Sequence, residues 1–277
     1  MTLSMRMAAF FAAAFMAGDA AAATFAGNVS GLSPQSRSWS WNGGQLNGFR
    51  AALEDRRNFG PTGTSTVDTI DTVDLTTIDA GTLADVDVFV AGWWHEADSA
   101  THQQALVDWF RAGGNLWVLA DDPIRDGLLT DLGLQTLSGS QNPSLVTGTL
   151  ADGSFGAPGQ VQQRGNVGHF DNASITALGG EVFATNALDQ ATAAGFERGT
   201  FGTGSGRLLI FSDIDMITSY GGADYATMNG NARLGLNGAE YLLSQPAPVP
   251  LPAGLPLLLA GLGAFAVVRR AQTPRGA

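Results

Sequence analysis

The segment from Asp87 to Ala120 constrains the fold more than any other part of the chain. Asp87-Val88-Phe89-Val90-Ala91-Gly92 is a continuous apolar run, the pattern of a strand buried on both faces. Ala100 to Ala112 follows as an amphipathic helix, with Leu106, Val107, Trp109 and Phe110 on or near its inner face. Gly113-Gly114 closes that helix as a C-cap, and Asn115 to Ala120 is a second apolar run. Strand, crossover helix and strand within about thirty-five residues form a βαβ unit, which places both strands parallel in one sheet. The expected class is therefore α/β with a mostly parallel central sheet.

Other elements can be read around this unit. Ser36 to Trp41 alternates polar residues with Trp39 and Trp41, as a short strand would. Gln45 to Phe59 is a helix with Leu46, Phe49 and Leu53 on one side, stopped by Gly60-Pro61. Val67 to Val73 alternates with Asp68, Asp71 and Asp74 as an edge strand. Asp126 to Leu132 is a short helix. From about Gly139 to Gly168 the composition is that of an inserted, loop-rich region. Glu181 to Ala184, Ala193 to Glu197 and Arg207 to Ser212 are strands, the last strongly apolar, and Met228 to Leu243 is the final helix.

The two ends have a different character. Arg6, the apolar run Met7 to Gly18 and the small residues Ala21 and Ala23 have the build of a secretory leader over residues 1–23, with cleavage before Thr24. Signal peptidase is the partner this implies. At the other end, residues 245–252 alternate proline with other residues and form an extended spacer. An apolar segment runs from Ala253 to Val268, and Arg269-Arg270 follows. At 1.5 Å per residue those sixteen residues cover roughly 24 Å, close to the ~30 Å hydrocarbon core. The arginines orient such a helix with the body outside the cytoplasm.

This tail resembles the PEP-CTERM sorting signal, in its VPLPA variety, through Val249, Pro250, Leu251, Pro252 and Ala253, the apolar helix and the arginine pair. The resemblance covers residues 249–270 and implies cleavage by an exosortase-like enzyme. The protein would then be displayed on the cell surface or released, often in bacteria that export polysaccharide. The chain departs from the pattern in continuing from Ala271 to Ala277. The other reading of the tail is an ordinary membrane anchor.

Between the ends lies a body of about 220 residues, 24–244, long enough for one domain with a full core. It holds ten arginines, no lysine and twenty-four carboxylates, a net charge of about −14, which disfavours a nucleic-acid partner. The chain has no cysteine, so disulfides, thiolate metal sites and a cysteine nucleophile are excluded.

Three stretches of the body resemble class I glutamine-amidotransferase-like domains, whose fold is a flavodoxin-like α/β sandwich. They are Leu83 to Val90, Trp109 to Leu119, and Gly206 to Asp215 with the terminal helix around Leu236-Asn237. Enzymes of that family carry a cysteine nucleophile on a turn after a central strand. Here that turn reads Asp121-Asp122-Pro123, so the resemblance implies a non-catalytic relative.

In an open α/β sheet, ligands bind outside the carboxyl ends of the strands. The residues there are Trp93, Trp94, His95 and Glu96 after one strand, Asp121 and Asp122 after the next, and Asp213 and Asp215 after the last apolar strand. A carboxylate rim of this kind suits a divalent cation or a pair of acid/base carboxylates. Equally, Asp beyond a strand serves to cap the next helix. Trp93 and Trp94 suit either stacking on sugar rings or core packing. His95-Glu96 lacks the second histidine of a metallopeptidase helix, and Gly202 to Gly206 reads as a turn. No cofactor is expected. Two functions are consistent with these features: a surface binding or structural domain, associated with polysaccharide, and a secreted hydrolase that uses rim carboxylates with or without a divalent metal.

Overall fold

The computed structural model describes residues 22–29, 38–92, 100–121, 127–165 and 168–244. The segment through residue 21 expected to be a leader, Trp93 to Glu96, Asp122, the expected sorting motif Val249 to Ala253, the apolar segment Ala253 to Val268 and Arg269-Arg270 lie outside them. Among the described residues no helix is long and apolar enough to cross a membrane. The chain divides after Leu243, and the unit before that point is the one described here.

Along the chain the elements are β1 (Ala23–Asn28), α1 (Asn47–Glu54), β2 (Ile70–Leu75), β3 (Val88–Gly92), α2 (Ala100–Arg111), β4 (Asn115–Leu119) and α3 (Gly127–Asp131). They continue with β5 (Thr136–Ser138), β6 (Ser144–Val146), α4 (Gly148–Ala151), β7 (Gln160–Val161), β8 (Gly168–Phe170) and α5 (Asn172–Ala177). The last are β9 (Glu181–Asn186), β10 (Ala191–Phe196), β11 (Leu208–Phe211) and α6 (Gly230–Leu243).

All of these strands join one sheet, ordered β2-β1-β3-β4-β11-β10-β9-β6-β7, with β8 on β10 and β5 on β8. The pairs from β2 through β11 are parallel. From β10 onward every pair is antiparallel. The mixed α/β class and the parallel centre follow the sequence pattern, and the antiparallel flank is an addition to it. That flank is built by the long excursion between β4 and β11.

Side-chain alternation along the parallel strands feeds two cores. Val88 and Val90, Trp117 and Leu119, Leu209 and Phe211 face one side, with Phe49 and Leu53 of α1 and Leu234 and Leu242 of α6. Phe89, Leu116, Val118, Leu208 and Ile210 face the other, with Leu106 and Phe110 of α2, Leu128 of α3 and Ile175 of α5. Burial on both faces is why these strands are apolar at every position.

The structure departs from the sequence reading at four places. The first strand among the described residues is β1, which starts at the residue expected to end the leader and lies between β2 and β3. Ser38 to Leu46 forms turns rather than a strand. Trp41 is fully buried because it lies over β1, where a Cβ on Gly27 would stand 2.6 Å from Trp41 Cβ and Cγ. Helix α1 ends at Glu54, because the Asp55 carboxylate accepts the Arg57 N–H at 2.9 Å and offers the backbone a turn instead. Lastly, residues 139–168 hold β6, α4 and β7. Two α6 side chains order that segment: Asn237 donates to Leu150 O (2.8 Å) and Gly156 O (3.1 Å), and Asn231 donates to Gln162 O (2.9 Å).

Candidate functional site

Because β1, β3, β4 and β11 run parallel, their carboxyl ends share one rim of the sheet. The chain beyond β4 and β11 stays together there: Ala120 N–H donates to Phe211 O and Ile214 N–H to Ala120 O, both at 2.8 Å. Asp121 and Asp213 are thereby brought to the same end of adjacent strands.

Asp213 is fully buried. Its Oδ1 accepts Asp215 N–H at 2.8 Å, which caps the 3-10 turn Ile214–Met216. Its Oδ2 accepts the Arg164 N–H at 2.6 Å, 49 positions away in sequence. Gln163 ties down the same segment: its Nε2 donates to Ser212 Oγ at 2.8 Å, and its N–H donates to Asn142 Oδ1 at 2.7 Å. The excursion between β4 and β11 is thus stitched back onto the rim through Asp213.

Asp215 is also buried. Its Oδ1 accepts the indole N–H of Trp39 at 2.9 Å and the Thr218 hydroxyl at 2.6 Å. Burial pushes the Asp213 carboxyl well above the usual carboxylate range, aided by the Asp215 and Asp121 charges and opposed by its two backbone donors. Burial also raises Asp215, against the bonds from Thr218 and Trp39 and the Arg164 charge.

Outside this pair lies an aromatic surface. The Trp39 and Tyr220 rings meet edge to face with centroids 5.8 Å apart. The Arg164 guanidinium sits 4.1 Å from the Tyr220 ring centroid and donates to Tyr220 O at 2.7 Å. Among the described residues Tyr220 is one of the few large exposed hydrophobic residues, at 40 % exposure.

Of the residues singled out in the sequence, the structure brings together Asp121, Asp213 and Asp215. His95, Glu96, Trp93, Trp94 and Asp122 fall outside the described residues, in segments that leave β3 and β4. Among the described residues, no group of three or more His, Cys, Asp or Glu side chains is arranged to hold a metal ion. Asp71 and Asp74 pair with Arg56 (2.9 Å) and Arg50 (3.0 Å) on the sheet edge, a charged edge rather than a site. Ser205 N–H bonds Gly202 O at 2.8 Å, which makes that glycine-rich stretch a turn.

Sequence reasoning missed Trp39, Arg164, Thr218, Tyr220 and, at the end of β1, Asn28. Trp39 lies in an alternating segment read as a strand, Arg164, Thr218 and Tyr220 lie in no periodic segment, and Asn28 adjoins the stretch read as a leader.

No protein-family model matches the chain, and no curated protein matches it. Among solved structures, the chain is similar to one described as the mmIFT52 N-terminal domain, with a TM-score of 0.54 at 12 % identity, over 82 % of this chain and 100 % of that one. A ThuA-like protein from Bacteroides uniformis aligns with a TM-score of 0.46 at 10 % identity, over 83 % of this chain and 96 % of that one. At these identities the likeness concerns the fold alone.

Proposed function

We propose that this is an exported bacterial protein whose body is a non-catalytic relative of the class I glutamine-amidotransferase-like domains. In this reading it serves as a binding domain for extracellular polysaccharide. The leader brings it across the membrane, and the VPLPA-type tail holds it there until an exosortase-like enzyme displays or releases it.

One observation carries the non-catalytic reading: both buried rim carboxylates are committed to holding the chain together. Asp213 binds two backbone donors from separate segments, and Asp215 holds Trp39 and Thr218. Groups fixed this way order a surface and are poorly placed to exchange protons with a substrate. The surface they order is aromatic and partly exposed, which suits stacking on sugar rings. The missing cysteine points the same way.

The raised Asp213 and Asp215 carboxyls favour a second reading, a secreted hydrolase with paired acid/base groups. Expressing the full chain in a polysaccharide-exporting host that has the sorting enzyme separates the two. The binding reading expects surface or released protein, shortened at the tail, that cosediments with the polysaccharide and liberates no reducing ends. Liberation of reducing ends that is lost in Asp213→Asn would establish the hydrolase instead.

A further inference from the structure

Two backbone N–H groups fix the polarity of a hydrogen-bond chain on the antiparallel flank. At the turn between β9 and β10, Leu188 N–H and Gln190 N–H both donate to Asn186 Oδ1, at 2.9 and 3.1 Å. The other end of that amide is therefore its NH2 group, which donates to Gln190 Oε1 at 2.7 Å. Gln190 then presents its own NH2 to His169 Nε2, 3.1 Å away. An amide NH2 offers no lone pair, so His169 Nε2 accepts and the proton of the neutral ring lies on Nδ1. Nδ1 is buried without a hydrogen-bond partner. The tautomer is thus set by Gln190, at the expense of an unsatisfied N–H.

The turn depends on this arrangement. Leu188 is exposed, so apolar packing does not hold the tip. Asp189 takes a left-handed conformation, φ 58°, that side chains other than glycine seldom adopt without support. Support comes from amides: Asn186 as above, and Asn172, whose Nδ2 donates to Asp189 O at 2.8 Å and whose Oδ1 accepts Ala191 N–H at 2.7 Å. In the other direction Asn186 Nδ2 donates to Ser140 Oγ at 3.0 Å, and the Ser140 hydroxyl donates to Gln163 Oε1 at 2.9 Å. Gln163 in turn donates to Ser212 Oγ. One polarity runs from His169 to Ser212, beside the Asp213 clamp.

A second proton on the ring breaks this chain at its end. Imidazolium carries N–H at both nitrogens, so Nε2–H would face the Gln190 NH2, donor against donor. Turning the Gln190 amide over moves the conflict to Asn186 Nδ2. Turning Asn186 over strips the Leu188 and Gln190 N–H groups of their acceptor. Among the described residues, the charged groups around His169 are acidic and favour arrival of the proton. Asp171 lies two positions on, held below the usual carboxylate range chiefly by the Ser174 hydroxyl and backbone N–H, and lastly by the His169 charge. Asp189 lies in the turn, and Asp121 O stands 3.4 Å from a Cβ on Gly168. The paired strands bring Thr136, Leu137, Ser138 and Ala191, all uncharged. We propose that His169 is a pH-sensitive latch on the β9–β10 turn: the neutral ring holds the turn closed through Gln190 and Asn186, and the imidazolium releases it. Histidine changes charge between about pH 5 and 8, so the hold is present on the alkaline side and lost as pH falls. The latch is independent of the polysaccharide reading.

The test is nuclear magnetic resonance of the full-length chain in detergent, labelled with 15N-histidine and separately with 15N throughout. The chain has three histidines, and the ring signal missing from His169→Phe identifies His169. At about pH 8 that ring should carry its proton on Nδ1; the opposite tautomer overturns the proposal. Between about pH 8 and about pH 5 the Leu188 and Gln190 amides should lose protection from hydrogen exchange about tenfold, after correction for intrinsic rates, the fold-change of one lost hydrogen bond. The β4 amides should stay protected, which separates release of the turn from acid unfolding. Protection that does not change with pH, or that falls equally in β4, overturns the latch. Gln190→Glu offers an acceptor to both His169 and Asn186, so it should keep the turn protected at about pH 5 and move the neutral ring's proton to Nε2. A Gln190→Glu turn that loosens as the wild type does would also overturn it. In His169→Phe the pH dependence of the turn should vanish, and its persistence would assign the sensing to another group. Should His169→Phe fail to fold, the wild-type tautomer and Gln190→Glu decide the matter.

Discussion

The indole Nε1 of Trp39 donates to Asp215 Oδ1 at 2.9 Å across 176 positions of sequence. This bond fastens the turn that follows β1 to the turn that follows β11, and it sets the position of the aromatic surface on the rim. A buried carboxylate that accepts it is left with Thr218 alone on that oxygen when the indole is removed.

Trp39→Phe keeps a ring and deletes the donor. The expected loss is about 1.5–3 kcal/mol, the range for hydrogen bonds to charged groups. Urea unfolding at neutral pH measures it. A loss below a few tenths of a kcal/mol would mean that the bond does not fasten the rim.

The pH dependence of stability has a sign set by Asp213 and Asp215. Both carboxyls are raised in the folded state, so the folded protein holds protons that the unfolded chain, near the ordinary Asp value of about 3.9, has already released. Their contribution therefore falls as pH rises from about 4 through the folded-state values, and it is most favourable on the acid side. Asp55, Asp79, Asp171 and Asp224 are shifted down, and their stabilisation is lost only as pH drops below about 4. Melting curves of wild type and Asp213→Asn between pH 4 and 8 should show a difference that changes steadily with pH. Parallel curves would show that Asp213 ionises normally.

Gly27→Ala tests how β1 holds the rim. Its new methyl would meet Trp41 Cβ and Cγ at 2.6 Å, and Trp41 is fully buried with its N–H on Asn28 O at 2.9 Å. Overpacking of this kind costs about 1–3 kcal/mol. The displaced Trp41 should also alter near-ultraviolet circular dichroism, and a variant with unchanged spectrum and stability would contradict the packing.

The exported protein should begin at Thr24. In the structure Thr24 N donates to Asp87 Oδ2 at 2.8 Å, so a cut before Thr24 places the new ammonium group on a carboxylate. Mass spectrometry of the exported chain reads the first residue directly. Asp87→Asn should lower its stability by less than about 1 kcal/mol, since the pair is exposed. A first residue beyond Phe25 would remove a fully buried core side chain and contradict the leader boundary.

The unit from Asp87 to Ala120 was legible in the sequence because its signals are local. Strands β3 and β4 are apolar throughout, α2 shows its inner face through Leu106, Val107 and Phe110, and Gly113 takes the left-handed conformation, φ 122°, that a C-cap needs. The absence of cysteine decided against amidotransferase chemistry before any fold was known. Strand β1 was not legible, because Ala23 to Asn28 is mostly small and apolar and continues the composition of the stretch read as a leader.

What the sequence determined by itself is the parallel centre and the identity of the residues at its carboxyl ends, since periodicity and residue type are properties of short windows. What only the tertiary structure decided is what those residues do there. Asp213 became a clamp because Arg164, 49 positions away, offers its N–H, and Asp215 an anchor because Trp39 reaches it from the other end of the chain. Asn28 became an unpaired acceptor because β1 was inserted between β2 and β3. A hydrogen bond depends on which distant groups arrive within 3 Å, and no local pattern of residues encodes that meeting.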